Sequence, residues 1–189
     1  PIAIIAPQPG GRALPVSASL GGVRGCHCRW LVLALLALSL SLSAAESEAD
    51  IRAAFLYNFA KFVTWPEATF ARADSPLVIG IIGPYDFGQS LKVLEGKQIH
   101  GHPVLVRRLL DNQGLAGYHM LFIGQLNDEQ NRVILQSLHG KAVLTVGDNA
   151  RFLTLGGMIY LYRESDVMRF NVHHKLATDC GLTVSARLL

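Results

Sequence analysis

The sequence predicts an α/β protein: an open, mostly parallel sheet flanked by helices and finished by an antiparallel hairpin. Three observations carry this. Near-continuous apolar runs (Leu77–Ile82, Met120–Ile123 and Ala142–Val146) have the length and β-branched content of strands buried on both faces, as parallel sheets require. Segments with helical spacing alternate with them, which implies right-handed βαβ crossovers. Near the end, Met158–Tyr162 and Val167–Val172 are joined only by Arg163–Glu164–Ser165–Asp166, the spacing of a hairpin.

Half of the 189 residues are hydrophobic and 16% are charged, which excludes a disordered chain. The formal net charge of +3 is too weak a bias for nucleic-acid binding by bulk charge. Residues 31–45 form an uncharged apolar run preceded by Arg24 and Arg29 and closed by Ser43, Ala44 and Ala45. Basic flank, short apolar core and small-residue end are the layout of a secretory signal peptide over residues 24–45, with cleavage near Ala45. The run is shorter than the roughly 20 apolar residues of a membrane span. Residues 1–23 lack a helical or strand period and read as a disordered leader or a mis-assigned start. Cleavage removes Arg12, Arg24 and Arg29 and no acid, so the remaining chain, 46–189, is near neutral and has the size of one domain. It also removes Cys26 and Cys28. Cys180 stays as a lone thiol, either buried or open to intermolecular pairing, and burial is the expectation.

Residues 48–64 read as a helix. Ser47 can cap it, Ile51, Phe55, Phe59 and Phe62 form one apolar stripe, and Leu56, Ala60 and Val63 form another. Pro66 should end it at Thr64–Trp65, because the residue before a proline avoids helical geometry. After the strand Leu77–Ile82, Phe87–Leu94 suits a short helix stopped by Gly96, and Pro103–Arg107 the next strand. Asn127 should cap a helix running to Leu138, with Gln130 completing a capping box and Gly140 past its end. In Val167–Val172, Met168, Phe170 and Val172 alternate with Arg169 and Asn171, so that strand has one wet face. A short helix over Lys175–Asp179 and an apolar tail, Leu182–Leu189, complete the chain.

Recognised catalytic and metal-binding patterns are missing. Gly80, Gly83 and Gly88 follow a strand, but their spacing fits neither a dinucleotide fingerprint nor a phosphate-binding loop, and Pro84 intrudes. His100–Gly101–His102 and His173–His174 have no third ligand at a recognised spacing, so no metal or other cofactor is expected. No G-x-S-x-G nucleophile turn is present. The expectation is a non-catalytic protein. Five aromatics, Phe55, Tyr57, Phe59, Phe62 and Trp65, crowd the first helix. Tyr57 and Trp65 lie off the core stripe and are the candidate partner contacts, since aromatics dominate binding hot spots. The apolar tail, Leu182, Val184, Leu188 and Leu189, is a second candidate, or else a terminal helix docked on the sheet. The alternative function is a small-ligand site at the C-terminal strand ends, where open α/β sheets place ligands: Gly83, Tyr85 and Asp86 after one strand, Asp148 and Asn149 after another.

Several stretches together resemble one family. They are A-A-F-L-Y-N-F-A-K-F-V-T-W-P (53–66), G-K-Q-I-H-G-H-P-V-L-V (96–106), Y-H-M-L-F-I (118–123), V-L-T-V-G-D (143–148), L-G-G-M-I (155–159), M-R-F-N-V (168–172) and G-L-T-V-S-A-R-L-L (181–189). The combination resembles the YfiR family of exported bacterial proteins, over essentially the whole chain after residue 46. The resemblance implies a periplasmic inhibitor that binds the periplasmic sensor domain of an inner-membrane diguanylate cyclase, or of another membrane sensor, and so lowers cyclic-di-GMP. It implies as a further partner an outer-membrane lipoprotein that sequesters the inhibitor; apart from the resemblance, an exposed apolar patch on the first helix or the tail would mark an interaction site or a homodimer face. The family often carries a cysteine where this chain has Gly80, and a matching one where it has Tyr118; both are absent together. A second cysteine pair before the Gly–Gly hairpin also lacks a counterpart, and Cys180 matches neither pair. The resemblance therefore brings no redox control by those bridges to this chain.

Overall fold

The computed structural model describes residues 48–110 and 114–188. The leader, the signal peptide with its cleavage point near Ala45, the capping Ser47 and the terminal Leu189 lie outside the described residues. Among those described, helix α1 (48–62) leads into β1 (Val63–Thr64), β2 (Leu77–Ile82), β3 (Gln98–Ile99), β4 (His102–Leu109) and β5 (Met120–Ile123). Then come α2 (Asp128–Ser137), β6 (Leu144–Gly147), β7 (Ile159–Glu164), β8 (Val167–Val172), α3 (His174–Asp179) and β9 (Thr183–Val184). Seven strands form one sheet in the order β3-β4-β2-β5-β6-β7-β8, and β1 pairs with β9 in a separate ribbon. The five central strands are parallel; β3 and β8 close the two edges antiparallel. The fold class read from the sequence is the fold observed.

Strand alternation divides the apolar residues between two layers. Leu77, Ile79, Ile81, Met120, Phe122, Leu144 and Val146 face α1 and the C-terminal ribbon, in a core with Leu56, Phe59, Ala60 and Val63. Ile82, Leu121, Ile123 and Val143 face α2, in a second core with Ile134, Leu135, Leu138 and Phe152. The capping box forms as expected: Asn127 Oδ1 accepts from the Gln130 amide at 2.9 Å, and Gln130 Oε1 accepts from the Asn127 amide at 3.1 Å. Phe152, fully buried, lies against Gly147 and Gly157, and a Cβ at either position would collide with its ring. That close approach is the physical content of the Gly–Gly pair before β7.

Five local expectations are corrected. Helix α1 stops at residue 62 rather than 64, because β-branched Val63 and Thr64 pair antiparallel with Val184 and Thr183; a tertiary strand partner overrides the helical continuation. Phe87–Leu94 forms only a 3-10 turn, Ser90–Val93; Gly88 adopts a φ of 52°, and Asp86 Oδ1 accepts its amide at 2.8 Å, a turn rather than a helix start. The hairpin turn is two residues, not four: Ser165 and Asp166 both have positive φ, as a type I′ turn demands. The tail is no helix. Val184 lies in β9, Leu182 and Leu188 flank it, and all three are buried. Cys180, expected buried, is half-buried.

Gly80 and Tyr118 meet across the β2–β5 pair. A Cβ at Gly80 would stand 2.8 Å from Tyr118 Cδ1. The two positions where the family resemblance implies paired cysteines are thus spatial neighbours, and here a ring occupies the room that a missing side chain leaves.

Candidate functional site

The candidate site is at the C-terminal ends of the parallel strands, where β2 leads to β4 on one side and β4 leads back past it to β5 on the other. The first turns of α1 bring Glu48 and Arg52 over this end. Arg52 is buried, its side chain 9% exposed. Its Nε donates to Glu48 Oε1 at 3.1 Å, and its guanidinium lies 4.8 Å over the Tyr85 ring. Its Nη1 stands 3.8 Å from Asp148 Oδ2, an ion pair too long for a hydrogen bond, and has no hydrogen-bond partner among the described residues. Arg163 of β7 closes the cluster, donating to Glu48 Oε2 at 3.1 Å. Two arginines and two carboxylates thus link α1 to the loops after β2 and β6 and to the hairpin. Burial raises the Tyr85 pKa; Arg52 opposes this, while Glu48, Asp148 and Asp86 add to it.

Of the residues expected to bind a ligand, Tyr85 and Asp148 meet around Arg52. Tyr85 also packs on Phe87 and Phe122. Asp148 Oδ1 accepts from the Gln125 amide at 2.9 Å. Gly83, at a φ of 99°, lets the β2 loop run hard against the Gly124 backbone. Asp86 and Asn149 stand apart from the cluster. Asp86 is exposed and faces Arg108, while Asn149 donates to Leu126 O and to Asp128 Oδ1 and accepts from the Arg151 amide. Arg52, Glu48 and Arg163 were missed by the sequence reading. A charged residue inside an apolar helical stripe, Arg52 between Ala49, Ala53 and Leu56, is the signal that pointed to them.

The expected partner surface is redrawn. Trp65 is 4% exposed, and its Nε1 donates to the His119 carbonyl at 2.8 Å, so it is core and not surface. Leu182, Val184 and Leu188 are core as well, because the β1–β9 ribbon folds the tail onto α1. Tyr57 is half-buried, with Lys97 Nζ 4.7 Å over its ring. Ile51 is the exposed large apolar residue of the same helix.

The N-terminal strand ends carry a second constellation. Phe70 stacks on His102 at 3.7 Å and on His119 at 4.3 Å. His119 Nδ1 accepts from the Val78 amide at 3.1 Å, and its Nε2 is buried without a hydrogen-bond partner. Burial lowers the His119 pKa, the Thr69 backbone opposes the shift, and His102 adds to it. Among the described residues, no three His, Cys, Asp or Glu side chains converge to hold a metal ion. No helix among them is long and apolar enough to cross a membrane.

The sequence profile of the YfiR/HmsC-like family matches residues 49–189, the whole described domain. The chain belongs to the YfiR/HmsC-like family. No curated protein sequence matches it. The YfiR-like family is one of periplasmic regulators. Within it, this chain holds its first helix by the Arg52 clasp and fills the Gly80–Tyr118 contact with a ring.

Proposed function

We propose that this protein is a periplasmic, non-catalytic repressor that binds the periplasmic sensor region of an inner-membrane diguanylate cyclase and lowers cyclic-di-GMP, restraining biofilm formation and favouring motility. The observation that carries the reading is the family match over the whole described domain. The signal-peptide pattern of residues 24–45 agrees with it. With Trp65, Leu182, Val184 and Leu188 inside the core, the partner contact falls on the exposed face of α1 that Ile51 and Tyr57 border. An outer-membrane lipoprotein that competes for the same surface would release the cyclase.

The test is cyclic-di-GMP in cells with and without the gene, complemented by copies with and without residues 1–45. The reading requires that deletion raises the level and that only the exported copy restores it. An unchanged level overturns the cyclase link. Tyr57→Ala should weaken capture of the sensor domain about tenfold or more while the melting temperature stays close to wild type.

A second reading, a small-ligand sensor at Gly83, Tyr85, Asp86, Asp148 and Asn149, is favoured by one observation: the Arg52 Nη1 that faces Asp148 without a hydrogen bond. It requires a ligand that raises the melting temperature of wild type and not of Asp148→Asn.

A further inference from the structure

The N-terminal ends of the strands hold a cavity that the proposed function leaves unused. Its volume is about 280 Å³, and it lies between two connections, residues 115–119 before β5 and residues 141–143 before β6, with Thr69 also on its wall. That is roughly twice the cavity of about 150 Å³ that takes up benzene. Leu115, Ala116, Ala142 and Val143 make much of the wall apolar. His119 and Lys141 also line it, and no lining residue among those described carries a carboxylate. Lys141 is exposed and takes part in none of the ion pairs among the described residues.

His119 is fixed from several sides. Its amide donates to the Val78 carbonyl at 2.9 Å, and its carbonyl accepts from Trp65 Nε1 at 2.8 Å and from the Leu144 amide at 2.9 Å. Nδ1 accepts from the Val78 amide at 3.1 Å, and Phe70 covers one face of the ring. Because Nδ1 accepts, the neutral ring carries its proton on Nε2, and Nε2 can only donate. The residue is 5% exposed, and Nε2 has no hydrogen-bond partner among the described residues. The Thr69 backbone stands near enough to favour that proton without accepting it in a hydrogen bond. Buried donors without an acceptor are rare in folded proteins. With Nδ1 held on β2 and one face on Phe70, the Nε2 edge is the side left for the cavity.

We propose that this cavity binds a small monocarboxylate with an apolar body, one carboxylate oxygen accepting from His119 Nε2 and the charge facing Lys141. A neutral donor that cannot accept selects for an acceptor. A cation with no acid beside it on the wall selects for an anion. Apolar walls select for a carbon skeleton rather than for phosphate or sulfate, most of whose oxygens would be left unpaired. The backbone bonds of His119 and the bond to its Nδ1 hold the donor in place before any ligand arrives, so little order has to be gained on binding. The site lies at the opposite end of the sheet from Arg52 and Asp148, and it is independent of the cyclase reading.

Titration calorimetry of the purified protein with benzoate and with hexanoate tests it, with benzyl alcohol and hexanol as neutral counterparts. At least one carboxylate should bind with a Kd of about 1 mM or tighter, the scale open to so small a ligand, and its alcohol at least about tenfold more weakly. In NMR spectra of the histidine rings, the bound carboxylate should move the His119 Nε2–H resonance downfield, as a new acceptor does. Lys141 is exposed, so Lys141→Gln should keep the fold; it should weaken the carboxylate about fivefold, an effect that fades in high salt, and leave the alcohol unchanged. Ala142→Leu fills the cavity from its wall and should weaken both ligands at least about tenfold. His119→Asn removes the Nε2 donor and should weaken the carboxylate about tenfold; if that variant does not fold, the resonance and the other two variants decide. Absence of binding up to about 20 mM overturns the proposal and leaves the cavity to water. So does an alcohol that binds as tightly as its carboxylate, or a carboxylate that none of these substitutions weakens.

Discussion

The two ends of the parallel strands are held by different chemistry. At the C-terminal end, Glu48, Arg52, Asp148 and Arg163 form a charge-balanced clasp. At the N-terminal end, His102, Phe70, His119 and Trp65 form a stack of rings tied to the backbone. The first depends on paired charges at the water boundary, where salt and solvent weaken them. The second depends on dispersion and burial, with the buried His119 imidazole among its rings. The difference teaches that the end where open α/β sheets place ligands is the tunable one, while the opposite end anchors the fold.

The sharpest test is Trp65→Ala. It removes a fully packed indole and one of the two donors to the His119 carbonyl, the other being the Leu144 amide, which should cost about 3–5 kcal/mol, enough to unfold a large share of an ordinary domain. Denaturant titration checks it; a loss below about 1 kcal/mol would mean the ring end is no anchor. Next in size is Arg52→Ala. Removing the buried guanidinium leaves Asp148 and Glu48 short of their cation, so a loss of about 2–3 kcal/mol is expected. Arg52→Met keeps the packing of the stem and should lose less. If the two variants are equally unstable, the clasp acts through charge alone.

Where a segment's own residues decide its structure, the sequence was legible. β2, β5 and β8 have the expected bounds because six or fewer residues of strict apolar run or alternation suffice to define each of them. The Asn127–Gln130 capping box is equally local. What was hidden depends on distant partners. Val63–Thr64 became a strand because Thr183–Val184 lies beside it, 120 residues away by chain. Trp65 lies off the helical stripe yet is buried, because the chain has already left the helix and the indole meets His119. The clasp was half legible. Tyr85 and Asp148 follow from the rule that loops at strand ends converge, but Arg52 and Arg163 enter from α1 and the far hairpin, whose positions no local pattern specifies.

The smallest expected effect separates the two ends by pH. His119 Nδ1 accepts from the Val78 amide, so the neutral ring carries its proton on Nε2, and protonation would put a second proton against that amide. Around it stand His102 across Phe70, the Thr69 backbone, Tyr118 beside it in the chain, and Lys141 on the wall of the same cavity of about 280 Å³. Its folded pKa lies below the unfolded value, so the unfolded chain binds the proton first as pH falls. Stability is complete above the unfolded pKa, near 6.5, and declines as pH falls below it toward the folded pKa, by at most about 1.4 kcal/mol per pH unit for one group. His119→Asn places a carbonyl oxygen near Nδ1 and does not titrate. In chemical denaturation between pH 7.5 and 5, the variant should be less stable than wild type at the upper limit and lose less on the way down. Parallel slopes would shift the pH dependence to another histidine and reduce the ring stack to packing alone.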